Sequence, residues 1–370
     1  MELLTSPAAE ARSFPTDFAR TPFLVIWEVT RACALACVHC RADAIARRDP
    51  RELTTAEART LIDQVVAFGT PRPLFVLTGG DPMWRKDLED IVRYASASGL
   101  SVALTPSGTA AATRKRLAAL QEAGLTRIAV SLDGPDPETH DAFRRVRGSY
   151  AWTMKIIESA GDLGLPLQIN TTVSRRTLPT LERMAERVGA FPLALWAVFF
   201  LVQTGRGASL DQITADECEA VLAWLADLAG RVPFGIKTTE APHFRRVVAE
   251  RDAASAWTSD GGTGQRPRGT RLPLRATRAV NDGNGFVFVD HVGDICPSGF
   301  LPAPRGNVRE CRLVDIYRDD PMFRRLRDPD ALEGRCGRCR YRDVCGGSRS
   351  RAYAATGNPF AEDPLCGYGG

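Results

Sequence analysis

Three thiols sit within eight residues in Cys33-Ala-Leu-Ala-Cys37-Val-His-Cys40. They follow the apolar run Phe23-Leu-Val-Ile-Trp-Glu-Val29, so they read as a loop leaving a strand. A 4Fe-4S cluster normally takes four thiolates, and a three-cysteine loop therefore leaves one iron open to an exogenous ligand. Zinc is the alternative, but it needs a fourth ligand. His39 could supply it only if the loop folded tightly on itself, so His39 is expected to pack near the cofactor. Arg31, His39 and Arg41 flank the thiols, which argues against an ordinary buried core.

A second field lies far downstream. Cys336-x2-Cys339-x5-Cys345, with Cys366 beyond it, has the separations of one closed tetrahedral site. Spacing alone does not separate a cluster from a zinc ribbon there. Thr78-Gly79-Gly80-Asp81-Pro82 reads by itself only as a turn.

The elements that must position these residues alternate regularly. Thr54 and Glu57 form a capping box ahead of a helix whose Ala58, Leu61, Ile62, Val65 and Val66 share one face. Pro73–Leu77 is then a short apolar run of the kind buried on both sides in a parallel sheet. Helices through Leu88 and Ile91, Leu117 and Leu120, Ile156 and Leu163, and Leu181 and Val188 alternate with strands at Ser101–Thr105, Arg127–Asp133, Leu167–Val173 and Leu195–Val202. A last helix runs from Thr214, capped with Glu217, to Leu228, and Cys218 falls on its core face. Six strands alternating with helices demand a parallel α/β sheet with right-handed crossovers, doubly wound or closed as a barrel.

Composition sets the remaining bounds. The chain has 370 residues, a formal net charge of +4 and ten cysteines. Residues 1–21 lack a signal pattern and no apolar run reaches membrane length, so a cytoplasmic protein with no membrane contact is expected. In that setting the cysteines read as thiols and metal ligands. Lysine occurs only as Lys86, Lys115, Lys155 and Lys237, so arginine carries most of the positive charge. No basic tail or aromatic-interleaved patch argues for nucleic acid.

The CxxxCxxC loop after a first strand, with Gly79-Gly80-Asp81 one strand later, resembles the radical S-adenosylmethionine (radical SAM) superfamily. That resemblance implies a partial (β/α)6 TIM-like barrel at residues 22–232, following an N-terminal extension at 1–21. It implies a 4Fe-4S cluster on Cys33, Cys37 and Cys40 whose open iron chelates SAM, and a reductant such as ferredoxin or flavodoxin. In relatives the cluster's electron breaks a C–S bond of SAM to give a hydrogen-abstracting 5′-deoxyadenosyl radical. Gly79, Gly80 and Asp81 resemble the family's GGE-type motif that receives the SAM ammonium, with Asp81 reaching less far than Glu. Ser131 and Asn170 match positions that hold the ribose and methionine parts of SAM. Arg144, in His140-Asp-Ala-Phe-Arg144, matches an arginine that meets the SAM carboxylate. Gly205-Arg206-Gly207 would let the backbone approach the adenine.

Residues 276–370 resemble the SPASM extension, which implies one auxiliary 4Fe-4S cluster on Cys336, Cys339, Cys345 and Cys366. Cys296, Gly306 and Cys311 fit part of a second auxiliary site. Arg349 and Asp290 stand where further thiols are usual, so Cys296 and Cys311 are left unassigned. Residues 233–275, with Gly261-Gly-Thr-Gly264, are expected to be a linker or lid. Ile26–Arg31, Gly285–Phe288 and Pro297–Pro302 look similar to the branch that acts on tetrapyrrole side chains, which implies oxidative decarboxylation of a haem precursor. Maturation of a ribosomal peptide is the alternative, although the 22 residues ahead of the first strand are expected to be too few for a peptide-recognition domain. A non-catalytic zinc-binding module is the alternative of another class.

Overall fold

The structure, a computed structural model, describes residues 17–258 and 280–369. Strands β1 (Leu24–Glu28), β2 (Leu74–Thr78), β3 (Val102–Leu104), β4 (Leu125–Ser131), β5 (Leu167–Val173) and β6 (Leu195–Phe200) lie side by side in chain order, all parallel. Between them run helices α1 (Thr55–Val66), α2 (Leu88–Ala97), α3 (Arg114–Glu122), α4 (Pro137–Arg144), α5 (Ser149–Asp162) and α6 (Leu181–Gly189). A parallel pair needs such a crossover, and every one of these helices except α4 buries an apolar stripe in the core; α4 buries His140, Phe143 and Arg144 and its end meets the loop after β1.

The helices begin where the sequence marks them. Thr54 N–H donates to Glu57 Oε2 at 2.7 Å, while Glu57 N–H donates to Thr54 Oγ1 at 3.3 Å. Thr214 and Glu217 repeat the arrangement ahead of α7 (Ala215–Ala229). Each such cap contributes about 1 kcal/mol. Cys218 is fully buried on α7, a core thiol whose pKa burial pushes up to about 12.

Strand alternation separates two faces. On β5, Leu167, Ile169 and Val173 enter the core against the helices, while Gln168, Asn170 and Thr172 are half-buried on the other side. That second face lines the lumen of an open, partial barrel.

One difference from the sequence reading concerns a boundary. The stretch assigned to a linker or lid, 233–275, begins with strand β7 (Gly235–Thr239), parallel to β6, and helix α8 (His243–Thr258). The strand escapes notice because Lys237 stands at its centre and only Ile236 is buried on it. Gly261–Gly264 lies outside the described residues. The cysteine-rich region adds to the same sheet. Strand β8 (Phe286–Val289) pairs parallel with β1, and β9 (Ile295–Cys296) pairs antiparallel with β8. The sheet order is β7-β6-β5-β4-β3-β2-β1-β8-β9.

The region also grips the opposite edge. Ser348 Oγ donates to Glu240 Oε2 at 2.5 Å and Arg351 Nη2 donates to Glu240 O at 2.6 Å, just past β7. Asp363, fully buried, ties this contact together by accepting from Ser348 N–H and Arg351 Nη1 and lying 3.3 Å from His243 Nε2. The C-terminal region therefore bridges the two sides of the open barrel. No helix among the described residues is long and apolar enough to cross a membrane.

Candidate active site

The cysteine loop caps the carboxyl end of β1, where parallel barrels carry their functional groups. Each of its sulfurs meets an N–H donor. Cys33 Sγ accepts from Leu35 N–H at 3.3 Å and lies 3.6 Å from Ser107 Oγ; Cys37 Sγ accepts from Arg144 Nη1 at 3.5 Å; Cys40 Sγ accepts from Ala44 N–H at 3.5 Å. Burial pushes the Cys33 thiol up to about 11 and raises Cys37, the latter against the pull of Arg144. Thiols in this setting stay protonated until a metal displaces the proton.

The loop is held from both sides by glycines. A Cβ on Gly79 would lie 2.4 Å from Thr30 O, and one on Gly80 would lie 2.4 Å from Ala32 O. Only glycine permits the backbone bonds Gly80 N–H to Thr30 O and Asp81 N–H to Ala32 O, both 2.7 Å. Gly205, at φ +53°, packs likewise against the carbonyls of Cys40 and Arg41. Arg206 then donates through its backbone to Cys40 O and through Nε to Cys37 O, both at 3.0 Å. The Gly205–Gly207 turn, read from sequence as an approach to adenine, therefore clamps the cysteine loop.

Asp81 is turned inward. It is fully buried, accepts from Thr109 Oγ1 at 2.6 Å and Met83 N–H at 3.2 Å, and burial raises its pKa. Its carboxylate braces the Ser107–Thr109 turn against the loop, and Ser107 in turn faces Cys33. Ser131 and Asn170 are lateral partners on β4 and β5, both half-buried on the lumen face.

Arg144, at the end of α4, forms the site's deepest ion pair with Asp133, just past β4. Burial would raise the Asp133 carboxyl, but the Arg144 guanidinium above all holds it below the usual range. Asp133 Oδ1 also accepts from Thr172 N–H at 2.7 Å. His140 Nδ1 accepts the Asp133 N–H at 3.2 Å, and desolvation lowers its pKa to about 4, so it is neutral. His39 stacks on Phe143 with centroids 4.4 Å apart, and desolvation takes it down to about 3; it is a packing group. Arg144 Nε is buried without a partner among the described residues, a donor left over for a ligand.

Sequence reasoning named Arg144 but missed Asp133, Ser107 and Thr109. The signal for Asp133 was available as a carboxylate at the carboxyl end of a parallel strand. A further group joins the site from β8: Arg41 Nη2 donates to the buried Glu28 at 2.8 Å, His291 Nδ1 lies 3.2 Å from Glu28, and the Arg41 guanidinium stacks over Phe288 at 4.7 Å.

In the C-terminal field, Cys336 accepts from Asp363 N–H at 3.5 Å, Cys339 from Tyr341 N–H at 3.4 Å and Cys345 from Gly347 N–H at 3.4 Å. Burial first, and then the Cys366 and Cys336 charges among others, raise the Cys345 thiol. The buried Arg349, in the place of a further thiol, donates to Cys336 Sγ at 3.6 Å and to three backbone carbonyls. Cys311 donates to Asn307 O at 3.2 Å, while Cys296 is buried in β9. All ten cysteines are free.

An open parallel barrel with a three-thiol loop at its mouth is the frame of one class of enzyme. Residues 27–188 match the Radical SAM superfamily. The chain belongs to that superfamily and is an enzyme, which sets aside the zinc-binding module. It is 41% identical over 350 residues to the AdoMet-dependent heme synthase of Oleidesulfovibrio alaskensis, covering 93% of this chain and 87% of that one. With the AdoMet-dependent heme synthase of Methanosarcina barkeri it shares 37% identity, over 94% of this chain and 97% of that one. Its fold is similar to that of Streptococcus suis SuiB bound to S-adenosylmethionine, with a TM-score of 0.71 at 14% identity, covering 94% of this chain and 78% of that one.

Membership implies a 4Fe-4S cluster and SAM. Among the described residues no three Cys, His, Asp or Glu side chains converge as the ligands of one metal ion do. The fit rests on the donor set: three soft sulfurs on one loop, each already met by an N–H donor, with the unpartnered Arg144 Nε beside them.

Proposed function

We propose that the chain carries out oxidative decarboxylation of propionate side chains on an iron-coproporphyrin-type haem precursor. The observation that carries this reading is the likeness, at 41% and 37% identity over 93% and 94% of this chain, to two AdoMet-dependent heme synthases. In the reaction a propionate loses one hydrogen atom from the carbon next to the ring, its carboxylate leaves as carbon dioxide, and one electron passes to an acceptor. A vinyl group remains.

The cluster and SAM, when bound, supply the 5′-deoxyadenosyl radical that no side chain can provide. Cys33, Cys37 and Cys40 would hold that cluster. Gly79 and Gly80 would set the backbone that receives SAM, Ser131 and Asn170 would hold it from the lumen, and Arg144 would offer Nε to its carboxylate. Asp81 and Asp133 position these groups. Cys336, Cys339, Cys345 and Cys366 would hold an auxiliary 4Fe-4S cluster suited to accept the electron. Ferredoxin or flavodoxin would serve as reductant, in the cytoplasm.

The test is anaerobic incubation of reduced, cluster-loaded protein with SAM, with and without iron-coproporphyrin III. Porphyrin-dependent 5′-deoxyadenosine, with vinyl products by mass, is expected. Substrate-independent cleavage alone would overturn the haem-precursor reading and direct the search to peptide substrates.

A further inference from the structure

We infer that Lys237 is a carboxylate anchor inside the barrel lumen, gripping an acidic side chain of the substrate; this rests on the haem-precursor reading above. The placement follows from register. Ser131, Asn170, Ala197 and Lys237 are successive lateral partners across β4, β5, β6 and β7. Laterally paired residues of a parallel sheet share a face, so Lys237 stands on the lumen wall at the level of Ser131 and Asn170. Its neighbour Ile236 is buried on the helix side.

Among the described residues Lys237 has no partner for its charge. It forms no hydrogen bond or ion pair with any described residue. It is half-buried by accessible surface, yet protein walls surround it closely enough that desolvation, followed by the charge of Arg127, lowers its pKa to about 8. Arg127 sits on the same face of β4, and its like charge opposes any retreat of the ammonium toward that end of the lumen. An ammonium with no counter-charge in a confined, desolvating space is costly unless an anion joins it. No described residue supplies that anion, and a ligand carboxylate would.

The surroundings select its shape. Phe199 projects from the same face of β6, one alternation beyond Ala197, with its ring 6.5 Å from Phe300, and Arg41 lies between Phe300 and Phe288. An aromatic rim over a cationic floor suits a flat apolar body carrying acidic arms. A tetrapyrrole with propionates has that form, the carboxylate pairing with the ammonium through a charge-assisted hydrogen bond.

The experiment is an absorbance titration of anaerobic, cluster-loaded protein with iron-coproporphyrin III and with its tetramethyl ester. The wild type is expected to bind the acid more tightly than the ester. Lys237→Gln should weaken acid binding by about tenfold or more while leaving ester binding unaltered, and Lys237→Arg should restore acid binding. Acid binding by Lys237→Gln equal to that of the wild type overturns the anchor alone. A loss confined to SAM affinity also overturns it, since the cation would then serve the cofactor. A wild type that binds neither porphyrin overturns the haem-precursor reading and the anchor with it.

Discussion

Replacing Asp133 by Asn tests the ion pair beneath the cysteine loop. Asp133 is 1% exposed and Arg144 8%. The amide keeps an oxygen for the Thr172 N–H but removes the charge that neutralises the guanidinium. Leaving a buried charge without its partner costs about 3–5 kcal/mol. Arg144 retains its contact with Cys37, so the lower end of that range, about 3 kcal/mol, is expected. Removing both partners in Asp133→Asn/Arg144→Met should cost less than the sum of the single changes, by on the order of 1–3 kcal/mol.

The pH dependence has a fixed sign. Arg144 is the leading charge that, against burial, depresses the folded-state pKa of Asp133, so its contribution is present above the unfolded carboxylate value of about 4 and is lost as pH falls through the lower folded value. Urea midpoints of metal-free wild type, both single variants and the double variant, at neutral pH and in acid, give the four-way comparison. The gap between wild type and Asp133→Asn should narrow in acid. A penalty below about 1 kcal/mol at neutral pH, or strict additivity, would refute the reasoning.

Other changes probe separate parts of the account. Gly80→Ala places a Cβ 2.4 Å from Ala32 O and should displace the cysteine loop, reducing iron bound per chain after reconstitution; wild-type iron content would contradict the packing argument. Cys37→Ala should abolish SAM cleavage while the visible absorbance of the C-terminal centre survives. Arg349→Gln removes a buried cation 3.6 Å from Cys336 Sγ, and the auxiliary cluster's midpoint potential should fall by on the order of 100 mV in an EPR-monitored redox titration. An unchanged potential would mean that the guanidinium is only structural.

What was legible in the sequence was local. The CxxxCxxC spacing, the Thr54–Glu57 and Thr214–Glu217 boxes and the apolar stripe of α2 are written within a few residues, and the structure keeps them. Strand β7 was not legible, because Lys237 at its centre faces a polar lumen and breaks the apolar run by which parallel strands are recognised. The pairing of β8 with β1 joins residues more than half the chain apart, and no period or turn signal records that. The glycines at 79, 80 and 205 were legible as close approaches, but not what they approach: the nearest backbone is the cysteine loop's own. Asp81 reads as a free carboxylate until Thr109 and Met83 are brought beside it.

The central claim is that hydrogen is taken from a propionate arm of a haem precursor held in the lumen. Iron-coproporphyrin III deuterated at the propionate carbon next to the ring, incubated anaerobically with reduced protein and SAM, tests it most directly through mass spectrometry of the 5′-deoxyadenosine. Deuterium in that product, matched by vinyl groups on the porphyrin, is the predicted result. 5′-Deoxyadenosine without deuterium, formed while the porphyrin stays intact, would contradict it.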